Sequence, residues 1–236
     1  MNASELIRNS EPFLKYLAEW EAGLPALALD SVAADPHAAA VVSVDIINGF
    51  CNSGPLASPR VQGIVAPITD LFRRADSAGV EHLILVQEAH EPDALEFHDY
   101  PAHGVRGTAE AEAVPELRAL PFFGRMRVFT KNSIHPAYGN GLEPWLAEHP
   151  ELNTFIVVGD CTDLCTYQSA MYFKLRANAG QLHRRVIVPA DCVQTFDIPL
   201  ALGQQIGAMP HDGDLLHLVF LYSMALNGVQ VVRSIR

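Results

Sequence analysis

The sequence predicts an α/β fold, a doubly wound three-layer α/β/α sandwich around a six-stranded, mostly parallel sheet. Two observations carry this prediction. From residue 39 onward, short apolar runs alternate with longer segments in which apolar residues have helical spacing. Several of the short runs are apolar at successive positions, which is typical of strands covered by helices on both faces. A chain of 236 residues fits one sizeable domain of this kind.

The predicted elements follow in order along the chain. Apolar runs bounded by turn-forming residues predict strands at 41–47, 81–87, 127–130, 155–158, 185–189 and 229–232. Helical spacing predicts helices at 61–78, 109–120, 142–148, 163–179 and 213–226. Gly79 ends the first of these helices. Residues 1–38 are predicted to be an N-terminal extension of short helix and loop, and residues 39–236 the domain itself.

The composition limits the kinds of partner and compartment. A net charge of −11, with no cluster of basic residues, argues against nucleic acid or an anionic membrane surface as a partner. The four cysteines are scattered, which suits reduced thiols in the cytoplasm better than a disulfide framework. The N-terminus lacks a signal-peptide pattern, and no apolar run approaches the roughly 20 residues that span a bilayer. We therefore expect a cytoplasmic protein that acts on a small molecule.

The segment 155–165 is the most informative in the chain, because an apolar run is followed there by a glycine, a turn and a helix. Cys165 falls in the first turn of that helix, where unpaired backbone N–H groups and the helix dipole stabilise a thiolate. Asp45 ends the apolar run VVSV within the strand predicted at 41–47, and Lys131 follows the strand predicted at 127–130. Sites in such folds lie at the carboxyl ends of strands, so an aspartate base, a lysine and a nucleophilic cysteine form a plausible unit there. The alternative is that Cys165 is a small buried core residue.

A loop rich in histidine and glutamate follows the second predicted strand. Glu88 and His90 are two residues apart on an extended segment and point to one face, and Glu96 and His103 can fold back to join them. Two imidazoles and two carboxylates suit a divalent ion such as Zn²⁺, Mn²⁺ or Fe²⁺. The alternative is a polar surface loop with no ligand.

Three segments resemble the catalytic segments of the isochorismatase-like cysteine hydrolases: VSVDIINGF, VFTKNSIHPAYGNGL and FIVVGDCTDLCTYQSAM. The resemblance covers about residues 39–236, in the expected order. It implies a catalytic triad of Asp45, Lys131 and Cys165. It also implies a cis peptide bond between Asp160 and Cys161, and an oxyanion hole formed by the backbone N–H groups of Cys161 and Cys165.

Within that family, the segment QEAHEPDALEFHDYPAHGVRGT is similar to the metal-binding loop of the nicotinamidase-related branch. The similarity implies four metal ligands: Glu88, His90, Glu96 and His103. It implies that Phe50 and Tyr100 sandwich a flat substrate ring and that Tyr138 is an aromatic residue of the substrate pocket. Family members often assemble as oligomers, so a homo-oligomer is expected.

The chain departs from the family pattern at several positions. Glu88 replaces the usual aspartate, and its longer reach would move the metal or shift the backbone. Gly104 replaces a frequent cysteine, Thr166 stands where valine is usual, and Cys161 occupies a position normally held by a small residue. The Glu88 change puts the substrate, and with it the metal, in question, while the triad is unaffected.

The resemblance therefore implies a cysteine-dependent amidohydrolase that releases ammonia from a small, nicotinamide-like carboxamide through a thioester. Two alternatives stay open: a metal-free cysteine hydrolase of another amide or carbamoyl compound, and a catalytically silent member that binds a ligand. Four histidines without matched partners are interpreted as surface or capping groups: His135, His183, His211 and His217.

Overall fold

The computed structural model describes residues 2–236. Its strands are β1 (Ala26–Leu27), β2 (Ala39–Val44), β3 (His82–Glu88), β4 (Arg127–Lys131), β5 (Thr154–Asp160), β6 (Arg185–Pro189), β7 (Val193–Gln194), β8 (Gln230–Val232) and β9 (Ser234–Ile235). Its α-helices are α1 (Ala3–Ala22), α2 (Leu29–Val32), α3 (Asn48–Cys51), α4 (Pro59–Gln62), α5 (Val65–Ser77), α6 (Pro115–Arg118), α7 (Leu142–Glu148), α8 (Cys165–Ala179), α9 (Leu200–Ile206) and α10 (Gly213–Leu226).

The central sheet has the strand order β4-β3-β2-β5-β6-β8, and all of its ladders are parallel. These six strands are the six that the sequence predicts, so the prediction of a mostly parallel sheet is confirmed. A seventh strand, β7, pairs with the end of β5 through Gly159 and Asp160. The strand β7 was not predicted. It pairs with the two residues by which β5 extends beyond the strand predicted at 155–158. A separate parallel pair joins β1 to β9.

Helices cover both faces of the sheet, which confirms the three-layer arrangement. On one face, Ile68 and Phe72 of α5 pack with Ile156 and Val158 of β5. On the other face, α7, α8 and α10 pack against the alternate strand residues, such as Val157. The parallel strands are therefore buried on both sides, as their continuous apolar runs indicate.

Several helices differ from their predicted bounds. The helix predicted at 61–78 is two helices, α4 and α5, with Gly63 at the end of the first. The helix predicted at 109–120 is a 3₁₀ turn followed by the short α6. Val114 precedes Pro115, and a residue before proline is held extended, which separates the two. The first helix spans 20 residues rather than a short segment, and α9 was not predicted.

The N-terminal residues pack against the C-terminal part of the chain. Leu17 of α1 is fully buried, and Trp20 and Phe13 place their rings 5.2 and 5.6 Å from the ring of Tyr222 on α10. These contacts join the predicted extension to the domain, while the division at residue 38 stays a prediction. Within residues 2–236, no helix has both the length and the apolar character to cross a membrane.

The strand order brings four carboxyl ends side by side, those of β4, β3, β2 and β5. β2 and β5 approach so closely that a Cβ on Gly159 would lie 2.0 Å from the carbonyl oxygen of Val44. Gly159 also has φ +121°, a conformation that glycine adopts without steric cost. The glycine that ends the strand in sequence is thus required for this close packing.

Candidate active site

The structure brings the three residues of the predicted triad together at this edge of the sheet. Asp45 follows β2, Lys131 ends β4, and Cys165 begins α8. The Lys131 Nζ atom lies 2.7 Å from Asp45 Oδ2 and 3.5 Å from Cys165 Sγ. All three side chains are buried. The ammonium group thus lies between a carboxylate and a thiol, the arrangement that the strand-end argument predicts.

The backbone holds the Asp45 carboxylate in place. Its Oδ1 atom accepts a hydrogen bond of 2.7 Å from the Glu88 N–H, and the Asp45 N–H donates to the Val86 carbonyl. Asp45 has φ +54°, a left-handed conformation that aspartate tolerates better than most residues. It therefore turns the chain sharply at the end of β2 while both carboxylate oxygens stay in contact with neighbours.

Glu88 places a second carboxylate against the same groups. Its Oε1 atom lies 2.7 Å from Lys131 Nζ and 3.4 Å from Cys165 Sγ, which donates to it. The sequence analysis assigned Glu88 to the metal loop alone. Its position at the end of β3, between the strands that carry Asp45 and Lys131, was the signal for this second contact.

Burial and charge set the protonation of the cluster. Burial and the Glu88 charge together outweigh Lys131 and raise the pKa of Asp45 to about 6. Burial opposes the charge on Lys131, but Asp45, Cys165 and Glu88 raise its pKa well above the ordinary value. Burial, with the carboxylates of Glu88 and Asp45, raises the pKa of Cys165 well above that of a free thiol despite the nearby Lys131. The raised pKa favours the neutral thiol, which agrees with the predicted arrangement of the cysteine beside an aspartate base.

The four residues of the predicted metal site also converge. Glu88, His90, Glu96 and His103 each place a ligand atom within 4.8 Å of the others. Glu88 Oε2 lies 3.3 Å from His90 Nε2 and 3.1 Å from His103 Nε2. Glu96 is half-buried, and burial together with the Glu88 charge raises its pKa.

Hydrogen bonds to the other ring nitrogens orient the two imidazoles for ligation. His90 Nδ1 lies 3.0 Å from Asn132 Oδ1, an oxygen that also accepts from the Glu91 N–H, and His103 Nδ1 lies 2.7 Å from the Pro101 carbonyl. Both Nδ1 atoms face acceptors, so each ring in its neutral form would carry its proton there and turn the Nε2 lone pair toward Glu88. Burial opposes the charge on the two rings, but the hydrogen bonds and charge of Glu88 raise the pKa of His90 and His103 above the ordinary value. His90 Nε2 is buried without a hydrogen-bond partner among residues 2–236. Two lone pairs and a carboxylate that face one another fit a bound cation.

A cavity of about 290 Å³ is lined by Cys165 of the triad and by three of the metal-loop residues, Glu88, Glu96 and His103. Its wall includes Phe50 and Tyr100, which the resemblance implies as ring contacts, and their rings lie 5.5 and 6.2 Å from the His103 ring. Tyr138 is elsewhere. It is 73% exposed, it stacks on His135 at 3.9 Å, and it is absent from the cavity wall. The structure therefore does not bring Tyr138 to this cavity, since the loop after β4 directs its side chain to solvent.

The turn before α8 folds Cys161 against Cys165. The peptide bond between Asp160 and Cys161 is cis, as the resemblance implies. The backbone N–H groups of Leu164 and Thr166 both donate to the Cys161 carbonyl, at 3.0 and 3.1 Å. Because Cys165 is the first residue of α8, its N–H has no acceptor within the helix. This geometry is compatible with the implied oxyanion hole.

Two histidines that the sequence analysis treated as surface or capping groups hold this turn, which corrects that interpretation. His217 is buried, and its Nδ1 lies 2.8 Å from Thr162 Oγ1. His211 Nε2 lies 2.8 Å from Asp163 Oδ2, and Asp163 Oδ1 accepts from Thr195 at 2.6 Å. The partners are separated by 32 to 55 residues, so local sequence patterns carry no signal for them.

Comparisons with known proteins agree with this arrangement. The model of the isochorismatase domain matches residues 39–201. Nicotinamidase 1 of Arabidopsis thaliana is 31% identical over 211 residues, covering 83% of this chain and 85% of that protein.

Two solved structures are similar in fold. The nicotinamidase of Bacillus subtilis has a TM-score of 0.65 at 19% identity, over 83% of this chain and 99% of that one. The pyrazinamidase of Pyrococcus horikoshii, solved in complex with zinc, has a TM-score of 0.62 at 18% identity, over 83% and 99% of the two chains.

Proposed function

Because the chain belongs to the isochorismatase family and is a hydrolase that acts on amides, we propose that it releases ammonia from a small carboxamide of the nicotinamide type through a thioester on Cys165. One observation carries the proposal: Lys131 Nζ lies between Asp45 and Cys165, against a cavity whose wall includes that thiol. The names of the relatives support the nicotinamide class.

In the first half-reaction, Asp45 removes the Cys165 proton, and the thiolate attacks the carboxamide carbon. The new C–S bond forms as the carbonyl π electrons move to oxygen, where the N–H groups of Cys161 and Cys165 stabilise the oxyanion. As the tetrahedral intermediate collapses, the C–N bond breaks and Asp45 returns its proton to the departing nitrogen, which leaves as ammonia. Lys131 keeps the negative charge of the cluster compensated throughout.

In the second half-reaction, Asp45 removes a proton from water, whose oxygen attacks the thioester carbon. The C–S bond breaks, the carboxylic acid leaves, and the proton on Asp45 returns to the Cys165 thiolate. The sum is one amide and one water giving one acid and one ammonia. We assign the base to Asp45 rather than Glu88 because burial raises the pKa of Asp45 to about 6, whereas burial of the Glu88 carboxyl is outweighed by Lys131 and the two histidines, which hold its pKa well below the ordinary value.

The metal-loop residues fit a divalent ion, and we propose Zn²⁺, Mn²⁺ or Fe²⁺ held by Glu88, His90, Glu96 and His103. When bound, such an ion would supply a Lewis acid for the ring nitrogen of a nicotinamide-like substrate, which would help to orient the carboxamide. Phe50 and Tyr100 would contact the faces of the ring. The Glu88 side chain is long enough for its carboxylate to serve both sites, because one oxygen contacts Lys131 while the other faces the histidines of the proposed metal site.

Location and assembly are proposed on narrower grounds. The four cysteines are free and buried, which supports a reducing compartment and hence the cytoplasm. The homo-oligomer rests on the family resemblance alone.

The test is ammonia release from nicotinamide, pyrazinamide and aliphatic amides by the purified protein. Cys165→Ala should abolish release, and Cys192→Ala, a substitution at another buried cysteine away from the cavity wall, should keep it. Acid quenching followed by mass spectrometry should find the acyl group on the peptide that contains Cys165. Wild-type rates in Cys165→Ala, or no release from any amide by a folded protein, would contradict the proposal.

A further inference from the structure

A buried carboxyl group in the cavity wall has no role in the reaction described above. Asp160 ends β5 and is 1% exposed, and it is among the residues that line the cavity. Its Oδ1 atom has no hydrogen-bond partner among residues 2–236, and its Oδ2 atom lies 3.6 Å from the weak donor Cys161 Sγ. A buried polar atom without a partner is costly, so its presence here needs an explanation.

The surroundings of Asp160 supply no cation that would pair with it. Asp160 follows the apolar residues of β5, and the cavity wall to which it belongs includes the apolar side chains of Phe50 and Val61. The Lys131 ammonium is already shared by two carboxylates. Burial, and next the charges of Asp45 and Glu88, raise the pKa of Asp160 well above the ordinary value. This direction favours the neutral acid, which has one O–H to donate and oxygens to accept.

We propose that Asp160 is a specificity-determining residue that contacts the substrate and selects carboxamides bearing a second, uncharged hydrogen-bonding group on the acyl part. The missing partner of the Asp160 carboxyl then comes from the substrate. A neutral hydroxyl or amide satisfies both the donor and the acceptor of the acid. An anionic substituent is disfavoured, because Glu88 and Glu96 border the same cavity. This inference rests on the proposed amide hydrolysis, whose substrate class it narrows.

The test compares ring-substituted nicotinamides that carry hydroxyl, methyl, carboxylate or aminomethyl groups at the same ring positions. The quantity measured is the ratio of kcat/KM for hydroxyl and methyl compounds, which are matched in size. At one ring position the wild type should prefer hydroxyl by about threefold to tenfold, the range of one net hydrogen bond. Asp160→Leu should abolish that preference or invert it. Asp191→Asn, at an exposed aspartate outside the cavity wall, should leave it intact.

Asp160→Asn is a second variant that still tests the proposal if Asp160→Leu does not fold. Asparagine has the same shape as aspartate and offers a neutral donor and acceptor. This variant should retain the hydroxyl preference. Loss of that preference in Asp160→Asn, or a wild-type preference for the cationic aminomethyl compound, would overturn the proposal.

Dissociation constants separate this inference from the proposed reaction. They are measured by calorimetry for the same amides on Cys165→Ala, with and without Asp160→Leu or Asp160→Asn. If the wild type hydrolyses no amide, the proposed function fails, and the binding series still tests Asp160. If the hydroxyl-to-methyl ratio of dissociation constants is the same with and without Asp160→Leu, the inference fails even where hydrolysis is observed.

Discussion

Replacing Lys131 with methionine tests whether the ammonium group holds the buried cluster together. Lys131 Nζ lies 2.7 Å from Asp45 Oδ2 and 2.7 Å from Glu88 Oε1, and all three side chains are buried. At an effective dielectric constant of about 20, each of these two attractions amounts to about 6 kcal/mol. The cost of desolvating the three charges offsets most of that sum. Removing one partner of a buried ion pair nevertheless costs about 3–5 kcal/mol, because the remaining carboxylates are left uncompensated.

We expect Lys131→Met to lower the free energy of unfolding by about 3–5 kcal/mol, measured by urea denaturation. Lys15→Met is the matched control, since Lys15 Nζ lies 2.8 Å from Glu11 but both side chains are exposed, at 71% and 62%. An exposed pair of that kind contributes about 0–1 kcal/mol. The buried and exposed pairs have nearly the same length, so the difference between the variants measures burial.

A double-mutant cycle extends the test. Glu88→Gln alone should destabilise the protein less than Lys131→Met, because the ion pair between Lys131 and Asp45 remains. The combined variant should be destabilised by clearly less than the sum of the two, since contacting charges couple. A loss below about 1 kcal/mol for Lys131→Met, or strict additivity in the cycle, would refute the reasoning.

Three further predictions concern the backbone, the acid stability and the metal loop. Gly159→Ala should prevent folding, because the added Cβ would lie 2.0 Å from the Val44 carbonyl oxygen. The control is Gly124→Ala, whose added Cβ meets no atom within 4 Å. Circular dichroism should show a folded protein for the control only. Burial lowers the pKa of His217 from 6.5 to about 4. Between pH 6.5 and pH 4 the unfolded chain therefore binds more protons than the folded protein does. The free energy of unfolding should fall as the pH drops through this range. His217→Gln should flatten that loss, at most about 3 kcal/mol, in urea titrations from pH 7 to pH 4, and an unchanged slope would contradict it. His90→Ala should retain less divalent metal per protein after gel filtration than the wild type, as measured by inductively coupled plasma mass spectrometry. Equal retention would count against the proposed ligand set.

The strand pattern of the sequence was sufficient to locate most of the candidate site. Continuous apolar runs identify parallel strands that are covered on both faces, and the residues that follow them must then meet at one edge of the sheet. Asp45, Lys131 and Cys165 each follow or end such a run, or begin the next helix, so their convergence follows from local patterns. The metal-loop residues also converge, although the loop has little regular structure, because Glu88 and His90 continue β3 directly.

Local sequence patterns could not predict other contacts of the candidate site. The length of the Glu88 side chain relative to the spacing of β2, β3 and β4 decides that one carboxylate faces both Lys131 and the histidines. Tyr138 follows Lys131 by seven residues, and the path of an irregular loop decided that it faces solvent.

The sequence by itself determined the fold class, the family and the positions of the candidate catalytic side chains. These depend on hydrophobic periodicity and on short motifs, which are local properties of the chain. Only the tertiary structure decided the protonation and the partners of those side chains. The pKa of the Cys165 thiol is set by burial and by carboxylates that approach from other strands. Asp160 likewise has an unpaired oxygen because of what packs around it. Desolvation and Coulomb interactions act through space, between residues that the sequence separates.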